Sequence, residues 1–133
     1  MTKVVVPVRY PLTEQSRATL SEAIRVAEEE DAELTVLHVN QYQSNRGVSR
    51  SDLRRAVEEA FGHLPNTRYA VRKGLLVEET LLEELLEQRA DVVVIGKRQL
   101  TPWRNMVRRL LDEPDVEGVL RERLDCRIVT ASP

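Results

Sequence analysis

The chain has 133 residues, 41% of them hydrophobic and 4% aromatic, with a formal net charge of −2 at pH 7. That length predicts one domain over residues 1–133, burying roughly two thirds of its unfolded surface without a metal or disulfide staple. A near-balanced charge and few aromatic rings argue against nucleic acid as a partner, and the lone Cys126 excludes an intrachain disulfide or a multi-cysteine zinc site.

The first residues, Met1-Thr2-Lys3-Val4, run directly into a strand pattern with no signal peptide. No apolar run reaches the roughly 18 residues needed to cross a membrane. A cytoplasmic protein that does not meet the membrane is therefore expected. Val4-Val5-Val6 reads as strand one, ended by Pro7. Residues 14–30 have helical periodicity, with Leu20, Ala23, Ile24 and Ala27 as the apolar stripe and Thr13, or Ser16 one turn later, as the cap. Leu34 to Val39 is strand two. It contains His38, expected to be a packed, hydrogen-bonded histidine. Residues 40–48 are polar and aperiodic, a predicted loop.

Ser49 opens a second helix, with Asp52 completing an imperfect capping box and Leu53, Val57, Ala60 and Phe61 facing inward. Arg68 to Val71 is a short, charge-flanked strand predicted near an edge, and Gly74 is read as the turn after it. Residues 75–89 form a third helix, with Val77, Leu81 and Leu85 on one line and Leu82 and Leu86 beside it. Val92 to Ile95 is continuously apolar, as a strand covered on both faces must be. Thr101-Pro102 reads as a further helix start, and Val116, Leu120 and Leu124 recur at four-residue spacing. Arg127 to Thr130 is the last strand, preceded by Cys126, expected in the core. Alternating strands and helices predict an α/β fold: a three-layer open parallel five-stranded sheet with helices on both faces.

In such a sheet, ligands sit beyond the carboxyl ends of the strands. Strand four ends there in Gly96, followed by Lys97, Arg98, Arg104, Arg108 and Arg109 with no acid before Leu110. Arg104 and Arg108 share a helical face, and Trp103 beside them offers an apolar anchor for a partner. A solvated basic face is the plainer reading of the same residues. His38 and His63 have no companions at metal-ligand spacing, and no Gly-x-Ser-x-Gly turn is present. The residues suggest neither a metal site nor a catalytic group, so no enzyme activity is expected.

Val4-Val5-Val6-Pro7, Leu34 to Val39, Val71-Arg72-Lys73-Gly74, Ala90-Asp91 through Gly96, and Cys126 to Val129 recur in an order that resembles the universal stress protein family along essentially the whole chain. The resemblance implies strand order 3-2-1-4-5, a cytoplasmic homodimer contacting through its last strand, here with Ile128 and Val129, and a stress-response or regulatory role. Many members bind ATP and many do not. In those that do, strand one ends in Pro-x-Asp, and a glycine-rich loop with a Ser or Thr follows strand four. Here Pro7-Val8-Arg9 puts a cation at the carboxylate position. Gly96 matches the glycine ending strand four, but Lys97 to Thr101 lacks the expected glycines.

Side chains in such a loop block the positive φ and the close approach of amides to phosphate. The acidic corner Glu113-Pro114-Asp115 repels phosphate and removes an amide donor. The expectation is a non-enzymatic protein without a cofactor that does not bind ATP in the family's usual way. One alternative is binding of ATP with magnesium, or another anion, at Arg9, Val39, Gly96, Lys97 and Arg98. The other is a protein or RNA interaction module using Trp103, Arg104 and Arg108.

Overall fold

The computed structural model describes residues 2–41, 47–74, 77–97 and 126–131. The elements are β1 (Lys3–Pro7), α1 (Glu14–Glu29), β2 (Glu33–Gln41), α2 (Arg50–Phe61), β3 (Thr67–Gly74), α3 (Val77–Gln88), β4 (Val92–Gly96) and β5 (Arg127–Ala131). The helices expected between Thr101 and Leu124 lie outside the described residues. All strand pairs are parallel, in the order β3-β2-β1-β4-β5. This is the expected α/β architecture and strand order.

Strand periodicity divides the valines between two cores. Val4 and Val6 of β1 and Val92 and Val94 of β4 pack with Leu20, Ala23, Val26 and Ala27 of α1 and Leu53 and Val57 of α2. Val5, Val93 and Ile95 point the other way, against Leu82 and Leu85 of α3, Leu37 and Cys126. Helices therefore cover both faces, which explains why β4 is apolar without alternation.

Local chemistry sets the helix ends. Thr13 caps α1 by accepting the Ser16 amide, and Ser49 and Asp52 form a complete reciprocal capping box on α2. The Ser49 bonds hold the Asp52 carboxyl below its usual range. Helices α1 and α3 close alike. Asp31 (φ 49°) and Arg89 (φ 53°) turn left-handed, and the next amides, of Ala32 and Ala90, bond back to the Ala27 and Leu85 carbonyls. Each buried alanine then leads into the next strand.

Several expectations need correction. β3 runs over eight residues, because every residue from Thr67 to Gly74 pairs with β2. Arg72 and Lys73 look like turn residues, but an edge strand tolerates such charge. β2 continues to Gln41, so Asn40 belongs to the strand and is buried. Gly74 ends β3 without a positive φ. A Cβ there would lie 1.8 Å from Thr80 Oγ1, so close approach of α3 demands the glycine. Ala60 is exposed in the last turn of α2, and Leu86 is 51% exposed on α3, leaving Leu82 and Leu85 to carry that core.

Tyr69 of β3 packs against the α1–α2 core, yet its buried hydroxyl has no hydrogen-bond partner. Burial pushes its phenol up, and the Glu58 charge adds to this. Removing an unsatisfied hydroxyl relieves a desolvation cost. Tyr69→Phe is therefore expected to leave stability unchanged or raise it by about 1 kcal/mol, as measured by urea unfolding; a loss of that size would mean the hydroxyl is bonded in solution.

Candidate functional site

The sheet opens at the carboxyl ends of β1 and β4. Their ladder pairs only Val4 with Val92 and Val5 with Val93. Beyond that point β1 stays with β2 as far as Pro7, paired with Leu37, while β4 stays with β5 as far as Gly96, paired with Ala131. From β1 the chain crosses to β2 on one side, and β4 has β5 on the other. This is the reversal of strand order that creates a crevice in open α/β sheets.

Arg9 lies two residues beyond the end of β1, Lys97 follows Gly96 at the end of β4, and Val39 lies in β2 two residues beyond the Pro7–Leu37 pair. All four residues therefore lie at the carboxyl end of the sheet. Val39 is buried, Gly96 is half-buried, and Arg9 and Lys97 are exposed. Among the described residues, neither the Arg9 nor the Lys97 side chain makes an ion pair. Arg98, Trp103, Arg104 and Arg108 lie outside the described residues.

The amides beside this mouth already have partners. The Arg9 amide donates to Ser16 Oγ at 3.3 Å, and the Ser16 amide donates to Thr13 Oγ1 at 3.0 Å. Thr13 Oγ1 also donates to Ser16 Oγ, at 3.1 Å. Buried Ser16 thus fastens the end of β1 to the start of α1. A phosphate cradle needs unpaired amides pointing outward, and these two are turned to local oxygens.

One group at the mouth was only half legible in the sequence. His38 is half-buried and hydrogen-bonded as expected; one partner comes from the end of β1 and the other lies two residues along β2. Its Nδ1 lies 3.0 Å from the Val8 carbonyl and its Nε2 3.1 Å from Asn40 Oδ1. Asn40 in turn exchanges two bonds with the Val48 backbone, just ahead of the α2 cap. The Tyr10 ring meets His38 edge-on, with centroids 6.3 Å apart. Tyr10, 39% exposed, carried no periodicity or motif to mark it.

Ile128 and Val129 lie on β5, the last strand in the sheet order. They are half-buried and turn to opposite faces, Ile128 toward the α3 core and Val129 toward the α1–α2 core. Among the described residues, no group of three His, Cys, Asp or Glu side chains is placed to hold a metal ion, and no helix is long and apolar enough to cross a membrane.

The sequence pattern of the universal stress protein family matches residues 1–122. The chain belongs to that family. No curated protein matches it. Among solved structures, a universal stress protein in complex with cAMP is 19% identical with a TM-score of 0.65, over 98% of this chain and 96% of that one. The universal stress protein UspA from Lactobacillus plantarum is 17% identical (TM-score 0.62; 98% and 97% covered). A universal stress protein from Archaeoglobus fulgidus in complex with dAMP is 13% identical (TM-score 0.57; 98% of each chain covered). At these identities the structures show a shared fold. This universal stress protein presents a cation, Arg9, where the end of β1 meets the crevice.

Proposed function

We propose that this chain is a non-catalytic regulatory protein of the stress-response type, a single cytoplasmic domain that acts as a homodimer and does not hold ATP in the family's usual way. The observation that carries this reading is the exposed cation Arg9 just beyond β1, at the carboxyl end of the sheet where Val39 and Lys97 also lie. Arg9 replaces the carboxylate expected by resemblance, and the Arg9 and Ser16 amides beside it are already bonded. A cation in that position offers a nucleoside no acceptor, and these two amides are not free for a triphosphate. The β5 edge supports self-association: Ile128 and Val129 remain partly exposed and would be covered by a second copy. Trp103, Arg104 and Arg108 are the candidates for contact with a protein partner.

A second reading is favoured by Arg9 and Lys97, which make no ion pair among the described residues. Two such cations, with Gly96 and Arg98 adjoining, suit a smaller anion such as a nucleoside monophosphate. The structural neighbours solved with cAMP and dAMP lend this reading support. Native mass spectrometry and calorimetry with ATP and magnesium, AMP and cAMP separate the two. The first reading expects a dimer mass with no co-purifying nucleotide and no saturable ATP binding at millimolar ligand. Micromolar ATP binding would overturn it. Saturable AMP or cAMP binding, weakened about tenfold by Arg9→Glu or Lys97→Glu as loss of a charge-assisted contact requires, would establish the second.

A further inference from the structure

The two ring nitrogens of His38 both face oxygens. Val8 contributes a main-chain carbonyl, which can only accept. The Asn40 side chain contributes Oδ1, and its orientation is held by two other bonds: Nδ2 donates to the Val48 carbonyl at 3.0 Å, and Oδ1 accepts the Val48 amide at 3.3 Å. Turning the amide over would set donor against donor and oxygen against oxygen at Val48. Asn40 is buried, so water does not readily relieve such a mismatch. A neutral imidazole carries one N–H and can satisfy only one of the two oxygens, leaving a ring lone pair facing the other at about 3 Å. An imidazolium satisfies both.

We propose that His38 is a pH-sensitive fastener that locks the end of β1 to the Asn40–Val48 junction when protonated and loosens it when neutral. The described groups around the ring are exposed or engaged elsewhere. On the segment after β1, Tyr10 meets it edge-on and Arg9 is exposed. On α1, Glu14 and Arg17 are exposed. On β3 its register partner is Val71; of the neighbouring cations, Arg72 is paired with Glu84 and Glu87, while Lys73 is exposed. In the first turn of α2, Arg50 is exposed and Asp52 is bonded to Ser49. None of these groups makes a hydrogen bond or ion pair with His38, whose partners among the described residues are the two oxygens. Protonation completes both bonds. The fastening is therefore present in acid and lost as the pH rises and the ring gives up its second N–H. Because Val8 adjoins Arg9, and Val48 adjoins the Ser49 cap, the lock ties the crevice mouth to the start of α2.

The chain has two histidines, so ring ¹⁵N–¹H spectra of the intact protein can be read residue by residue, with His63→Gln making the assignment. In acid, where a histidine ring carries both N–H groups, those of His38 are expected to be hydrogen-bonded and slow to exchange with water, while those of exposed His63 exchange fast. In acid the melting temperature is expected to be higher than that of the His38→Gln variant, and this difference should vanish at alkaline pH. Fast-exchanging His38 ring protons in acid would overturn the proposal, as would equal pH responses in the two proteins. Should His38→Gln not fold, the wild-type ring spectrum decides alone.

Discussion

Truncating Leu20 to alanine is expected to lower the melting temperature by roughly 10 °C or more, whereas Leu86→Ala moves it by no more than about 2 °C. Leu20 is fully buried where α1 crosses the sheet, among Val4, Val6, Val92 and Val94. Its loss removes the transfer free energy of the side chain and leaves a cavity among residues from several elements, together costing about 3–4 kcal/mol. For a chain of this size each kcal/mol is worth roughly 3–4 °C. Leu86 is 51% exposed and belongs to neither core, so its truncation costs at most about 0.5 kcal/mol. Differential scanning calorimetry of the two variants checks both values. Equal losses would mean that α3 turns its Leu86 side inward in solution.

The Leu20–Leu86 contrast also marks how far periodicity reaches. On α1 a wide stripe from Leu20 to Ala27 lies against the sheet, and the sequence pattern names most of it. On α3, leucines at 81, 82, 85 and 86 cover too broad an arc for one contact face, and only packing decides that Leu82 and Leu85 are innermost. Short-range chemistry was equally legible: Thr13, and Ser49 with Asp52, act through bonds to residues three positions away. Strand order followed from the family resemblance and crossover length.

Register did not, because it depends on how neighbouring strands slide as both cores fill. The length of β3 and the meeting of His38 with the Val8 carbonyl both depend on it. Gly74 shows the same limit from another side. A glycine before a helix suggests a turn, and only the approach of Thr80 reveals a steric requirement. Of the candidate site, the residue types at the strand ends were readable, but the absence of ion pairs at Arg9 and Lys97 was not. Nor was the engagement of the nearby amides, since the Arg9 partner Ser16 comes from the next helix.

The charge cluster across β3 and α3 should behave differently from the other ion pairs. Arg72 Nη1 lies 2.6 Å from Glu84 Oε2 and 2.9 Å from Glu87 Oε2, and Gln88 donates to the other Glu84 oxygen at 2.6 Å. The two glutamates raise the guanidinium above its usual range, the bond from Glu87 most of all. The Glu84 side chain is only 9% exposed, against 37% for Arg72 and 63% for Glu87. Exposed pairs such as Arg25 with Glu29 contribute little. Removing Arg72 instead strands a nearly buried carboxylate with one neutral donor. Losing one partner of a fully buried pair costs about 3–5 kcal/mol; the partial exposure of Arg72 brings the expected cost of Arg72→Met to about 2 kcal/mol at pH 7.

Urea unfolding curves of Arg72→Met and wild type at pH 7 are expected to show this difference. In the double variant Arg72→Met/Glu84→Leu, apolar contact replaces the pair, and most of the loss should be recovered. A single variant as stable as wild type at pH 7 would show that Glu84 reaches water, and that β3 is held to α3 by packing alone.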